Sequence, residues 1–111
     1  MTDKFRNAFR GLMDGLCDHS IRTQFILAFC ALIAGFVLKL NLTEWLVVIV
    51  CMGLVICSEM LNTCIEQVCD LYDAHENEKI RRIKDLGAGA VLTASLTALI
   101  CALLILLHHI G

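Results

Sequence analysis

The sequence predicts an all-α membrane protein that has an N-terminal surface helix and three transmembrane helices. Two observations indicate this fold class: 59% of the 111 residues are hydrophobic, and the chain contains no proline. The mean hydropathy of +0.78 is too high for a soluble domain of this length, and an all-β fold would need more turn residues. We therefore expect residues 1–111 to form a single integral membrane domain.

The first 20 residues predict an amphipathic helix on the membrane surface. Apolar side chains recur there at helical spacing, and basic side chains lie on the opposite face. The apolar set is Phe5, Phe9, Leu12, Met13 and Leu16, and the basic set is Lys4, Arg6 and Arg10. A soluble helix that packs on another protein is the alternative interpretation.

Three apolar segments predict transmembrane helices at 22–42, 45–70 and 84–108. The third contains an apolar run of 22 residues, about 33 Å of helix, which is enough for a hydrocarbon core of about 30 Å. The first is short, so it must recruit flanking residues, with Lys39 extending towards the headgroups.

The basic residues predict the orientation in the membrane. Of the nine Lys and Arg residues, eight lie either within 1–24 or within 79–84. Since positive charge favours the cytoplasmic side, we expect the N-terminus and the loop 71–85 to be cytoplasmic.

Polar residues form a stripe at the cytoplasmic end of the second predicted span. They are Glu59, Asn62, Glu66, Asp70 and Asp73, and at roughly 100° per residue they fall within an arc of about 80°. A charge inside hydrocarbon costs about 2.5–3.5 kcal/mol, so Glu59 requires either a compensating group or a function. Three spans in one chain offer little interior to enclose such a stripe, so we expect a homo-oligomer.

The stripe contains the groups that phosphoryl transfer to a lipid alcohol would use. Magnesium binds oxygen ligands and keeps substrate phosphates among them, which suits Glu66 and a second acid. A nearby lysine can balance phosphate charge, and Glu59 lies where it could accept the proton of a lipid hydroxyl. The chain has no GxxxxGK[ST] loop, and the glycines of "KDLGAGAVL" predict helix packing rather than nucleotide binding.

The segments "EMLNTCIEQVCD" and "KDLGAGAVL" resemble the signature of the prokaryotic diacylglycerol kinase family of bacterial inner-membrane enzymes. Its Gram-positive-type members are mostly undecaprenol kinases, and "AGAV" at 88–91 and the Glu44–Trp45 pair are similar to that branch. The resemblance implies a homotrimer that phosphorylates a membrane lipid alcohol, with ATP as the phosphoryl donor and Mg²⁺ as the cofactor. No nucleic-acid partner is expected.

The resemblance also implies roles for individual residues. Glu59 and Asn62 would be catalytic, as the general base and as a site-organising residue. Glu66 and Asp18 would bind magnesium and, together with Lys84 and Asp85, the nucleotide. The family usually has Glu at the position of Asp18, with spacing from Gly11 one residue longer, and His at the position of Asn77.

Two alternatives remain open at this point. Undecaprenol and diacylglycerol both present a primary hydroxyl at the membrane surface, so diacylglycerol is the alternative substrate. A small ion or metal transporter would also bury carboxylates. Such sites usually lie near the midplane with inverted repeats or broken helices, and the sequence shows neither a repeat nor a proline or glycine break in the second span.

Overall fold

The chain is all-helical in a computed structural model that describes residues 2–72, 75 and 77–111. Within these residues the helices are α1 (Thr2–Gly15), α2 (His19–Leu38), α3 (Leu42–Tyr72) and α4 (Glu78–Ile110). The last three are long and apolar enough to cross a membrane. The predicted all-α fold with three potential transmembrane helices is confirmed.

Helix α2 ends at Leu38, whereas the sequence predicts a span that continues to residue 42. Lys39 has φ of 57° and ψ of 58°, the left-handed conformation, and its backbone N–H donates to carbonyls of the last helical turn. The apolar pattern continues through Leu40, but the backbone has already left the helix. Residues 39–41 therefore form a tight connection to α3.

Helix α3 begins with a reciprocal capping pair. The Asn41 side chain accepts from the Glu44 N–H at 2.9 Å, and the Glu44 carboxylate accepts from the Asn41 N–H at 3.1 Å. The helix then runs unbroken for 31 residues, and α4 has 33. At about 1.5 Å per residue both are longer than a hydrocarbon core of about 30 Å, so their ends extend beyond it.

Helices α3 and α4 pack together as an antiparallel pair, and α2 packs on α3. Close approach of α2 to α3 depends on Gly35, since a Cβ there would lie 2.6 Å from the Trp45 ring. The Trp45 ring also contacts Phe36, with the two ring centroids 5.0 Å apart. These contacts fix the helices at the end opposite the polar stripe.

The buried apolar side chains of the described residues are Ile21, Cys69 and Ile80. They come from the start of α2, the end of α3 and the start of α4, so all three lie at the end of the bundle that carries the stripe. Most large apolar side chains elsewhere are exposed, and lipid or further chains must cover them.

Candidate active site

The polar stripe lies on the second half of α3. Asn62 is buried at 8% exposure, Glu59 is partly buried and Glu66 is exposed. The Asn62 Nδ2 group donates to Glu66 Oε1 at 3.1 Å, and the two residues are four positions apart, about one helical turn. The structure therefore joins two of the predicted site residues directly.

The Glu59 carboxylate lies near two further carboxylates. Glu66 and Asp18 are the charged groups that act on Glu59 electrostatically, and both are negative. Among the residues that the structure describes, no hydrogen bond to the Glu59 side chain is present; its backbone carbonyl accepts from Thr63 Oγ1 at 3.0 Å. Glu59 thus has its carboxylate oxygens available for a substrate proton.

Asp18 has a structural contact in addition to its predicted role. It is the N-cap of α2, and its Oδ1 atom accepts from the N–H groups of Ser20 at 3.0 Å and Ile21 at 3.4 Å. The cap places the carboxylate at the end of the bundle where Glu59 and Glu66 lie. Metal binding by Asp18 stays a prediction.

Lys84 and Asp85 are adjacent in the sequence and are both expected to bind the nucleotide, but they make different contacts. Lys84 Nζ lies 2.8 Å from Asp70 Oδ1, so Lys84 joins the stripe across the α3–α4 interface. Asp85 Oδ2 instead accepts from Arg81, which also contacts Glu78, and these side chains are more than half exposed. The stripe residue Asp73 lies outside the described residues.

Asn62 is the most enclosed member of the stripe. Its Oδ1 atom is buried and has no hydrogen-bond partner among the described residues. It faces Gly87 of α4, where an added Cβ would overlap with the oxygen. The sequence predicts Gly87 to be a helix-packing residue, but no sequence signal identifies Asn62 as the side chain it packs against.

The available ligands fit a magnesium ion by their chemistry. Glu66 and Asp18, the two predicted ligands, supply carboxylate oxygens, which are atoms that Mg²⁺ prefers. Within the described part of the chain, however, no three His, Cys, Asp or Glu side chains are arranged to hold an ion by themselves. This arrangement suits Mg²⁺ that arrives with nucleotide phosphates, since such ions use one or two carboxylates.

A second polar cluster lies at the opposite end of the bundle. The Glu44 carboxylate accepts from His109 Nε2, with the two oxygens at 2.9 and 3.0 Å, in addition to the Asn41 cap. This cluster ties the start of α3 to the end of α4. Neither the capping pair nor the contact between residues 44 and 109 was predicted from the sequence.

An apolar cavity of about 570 Å³ lies between α2, α3 and α4. Small and aliphatic side chains line most of it, including Ala31, Val55 and Ala98. At the end nearest the stripe it reaches Ile56, about one helical turn from Glu59. Hydrocarbon therefore has access to the vicinity of the stripe.

Comparison with known proteins identifies the family of this chain. The model of the prokaryotic diacylglycerol kinase family matches residues 6–106, which include α2, α3 and the predicted site residues. The chain is 31% identical over 104 residues to the undecaprenol kinase of Bacillus subtilis (strain 168), covering 93% of this chain and 85% of that enzyme. The chain belongs to the prokaryotic diacylglycerol kinase family.

Proposed function

We propose that this protein transfers the γ-phosphoryl group of ATP to the hydroxyl of undecaprenol. The observation that carries the proposal is the Glu59 carboxylate, partly buried and without a hydrogen bond among the described residues, beside the bonded pair Asn62 and Glu66. A carboxylate with this placement can accept a proton from a lipid alcohol at the membrane edge.

Each residue of the stripe has a distinct part in the proposed reaction. Glu59 accepts the proton of the lipid O–H group while the oxygen forms a bond to the γ-phosphorus. The bond from the γ-phosphorus to the β,γ-bridging oxygen breaks, and ADP leaves with the bonding electrons. Lys84 balances charge on the phosphates, and Asn62 orients Glu66.

Glu66 and Asp18 would hold magnesium together with the nucleotide. The ion supplies charge neutralisation at the phosphate oxygens when it is bound. The exposed position of Glu66 allows a phosphate-bound ion to approach from the cytoplasmic side. Asp85 follows Lys84 in the chain and lies in an exposed ion-pair cluster. It would contact the nucleotide at the exposed edge of the site.

Undecaprenol is favoured over diacylglycerol by the likeness to the Bacillus subtilis undecaprenol kinase. The family description itself names diacylglycerol, which is the second candidate substrate. The continuous α3 helix argues against a transporter, because transporter sites usually lie where a helix is broken.

The proposal includes the assembly and its placement in the membrane. The family resemblance implies a homotrimer, in which neighbouring chains would cover part of the exposed apolar surface of the three long helices. Helix α1 has no buried residue and exposes Phe5 and Phe9, which suits a helix lying on the membrane. The N-terminus and the loop 71–85 would face the cytoplasm of a bacterium.

The test is ATP-dependent phosphorylation of undecaprenol and of diacylglycerol, measured side by side in mixed micelles with magnesium. We expect the wild-type chain to phosphorylate undecaprenol faster, and Glu59→Gln to phosphorylate neither. Glu44→Gln is the matched control because it changes a carboxylate on the same helix at the opposite end. A folded wild-type chain that leaves both lipids unchanged would contradict the proposal, and faster diacylglycerol turnover would reassign the substrate.

A further inference from the structure

Helix α4 approaches the stripe closely at Gly87. This glycine is buried, and a Cβ built on its backbone would overlap with Asn62 Oδ1 and lie 3.4 Å from Asn62 Cγ. The Cα hydrogen that stands in place of a side chain therefore points at the amide oxygen. Cα–H···O contacts of this kind recur where helices pack closely.

The orientation of the Asn62 amide follows from its other contact. An ionised carboxylate only accepts hydrogen bonds, so the amide nitrogen must face Glu66 Oε1, which lies 3.1 Å away. The amide oxygen must then face the other way, towards Gly87. The oxygen is buried there and has no hydrogen-bond partner among the described residues. Because it lies against Gly87, a shift of α4 at this position would displace the amide.

We propose that Gly87 is a positioning residue of the phosphoryl-transfer site. By lacking a side chain, it lets α4 close over Asn62 and hold the amide in the orientation that donates to Glu66. The catalytic role of Gly87 rests on the proposed function, whereas the contact between Gly87 and Asn62 is independent of it. Nothing in the "KDLGAGAVL" pattern separates Gly87 from Gly89 in this respect.

Gly89 provides the matched control. It lies on the same helix two residues later, and a Cβ built there meets no atom of the described chain within 4 Å. A role for glycine in general helix flexibility or membrane packing would affect both positions, whereas the proposed contact affects only one. The comparison of Gly87→Ala with Gly89→Ala therefore isolates the contact with Asn62.

The experiment uses the full chain in detergent micelles, labelled with ¹⁵N-asparagine. Four asparagines are present, and the side-chain amide signal that disappears in Asn62→Ser belongs to Asn62. We expect Gly87→Ala to shift this signal and Gly89→Ala to leave it in place.

In the kinase assay, Gly87→Ala should lower kcat at least about tenfold and raise the magnesium concentration that gives half the maximal rate, because small displacements in a site are costly. Gly89→Ala should keep both quantities within about twofold of wild type.

Should Gly87→Ala fail to fold, the double variant Asn62→Ser/Gly87→Ala tests the same contact, since the shorter serine leaves room for the Cβ. Restored folding supports the proposal, and continued misfolding overturns it. An unshifted Asn62 signal in a folded Gly87→Ala protein also overturns it. A shifted signal in a chain whose wild type phosphorylates no lipid would keep the contact but refute the proposed function, so the two failures are distinguishable.

Discussion

The two ends of the bundle each contain a carboxylate cluster on α3, but the clusters differ in how their polar atoms are satisfied. At the end where α3 begins, Glu44 accepts from the Asn41 N–H and from His109. At the end that carries the stripe, Glu59 lacks a side-chain hydrogen bond among the described residues, and Asn62 Oδ1 is buried without one. Buried polar groups are normally bonded, so the exceptions indicate a site adapted to something other than stability.

The comparison implies that the same substitution has opposite consequences at the two ends. A carboxylate that accepts hydrogen bonds, as Glu44 does, stabilises the fold. A carboxylate that accepts none and lies near two other carboxylates, as Glu59 does, does not. Changing Glu to Gln at each end should therefore separate loss of activity from loss of stability. The following predictions are ordered by the size of the expected effect.

Glu59→Gln should lower the rate of lipid phosphorylation by about 10²–10⁴-fold, the range that a general base contributes. Folding should be unaffected, since the amide keeps the shape and removes a negative charge beside Glu66 and Asp18. Initial rates and thermal unfolding of the same micellar preparation provide both measurements. A variant with more than half of the wild-type rate would show that Glu59 is not the base.

Asp70→Asn should raise the KM for ATP by roughly three- to tenfold with a smaller change in kcat. The Asp70 carboxylate lies 2.8 Å from Lys84 Nζ, and without it the ammonium group is held less firmly beside the phosphates. Asp70 is 59% exposed on its side chain, so the pair should contribute little to stability. Glu78→Gln, which removes an exposed carboxylate paired with Arg81, is the control, and equal KM changes in both variants would refute the assignment.

Glu44→Gln should show the reverse behaviour of Glu59→Gln. It weakens both the cap of α3 and the contact with His109, so the midpoint of thermal unfolding should fall by several degrees. The rate per folded protein should stay within about twofold of wild type, because the cluster lies at the far end of α3 from the stripe. If Glu44→Gln instead abolished turnover of a folded protein, the division between a structural and a functional end would be wrong.

The sequence predicts the elements of the fold better than the contacts between them. Helical periodicity was sufficient to place Glu59, Asn62 and Glu66 on one face, because that relation depends only on residues within one helix. The contacts of Asn62 with Gly87 and of Glu44 with His109 depend on the crossing and register of α3 and α4. Spacing within a single sequence contains no information about that register.

The ends of helices were also predicted less accurately than the helices themselves. Hydrophobicity extends the first predicted span to residue 42, but the backbone leaves the helix at Lys39 because the connection to α3 requires a left-handed residue there. The Asn41 and Glu44 pair marks the start of α3 in the sequence, and reading it as a capping box would have shortened the predicted span. Asp18 is similar, since the family resemblance implies a metal ligand there and the structure adds an N-cap.

The smallest predicted effect concerns Lys39, the non-glycine residue with positive φ among those described. The left-handed conformation costs a residue with a Cβ about 1–2 kcal/mol, and glycine avoids this cost but loses about 0.5–1 kcal/mol more in chain entropy. Lys39→Gly should therefore stabilise the folded chain by up to about 1.5 kcal/mol, measured by denaturant or thermal unfolding in micelles. Ala34→Gly, inside α2, is the matched control and should destabilise by up to about 1 kcal/mol. Activity should be unchanged in Lys39→Gly, because the connection at 39–41 lies at the end of the bundle away from the stripe. Equal destabilisation by both glycines would show that the left-handed turn is not retained in the folded protein.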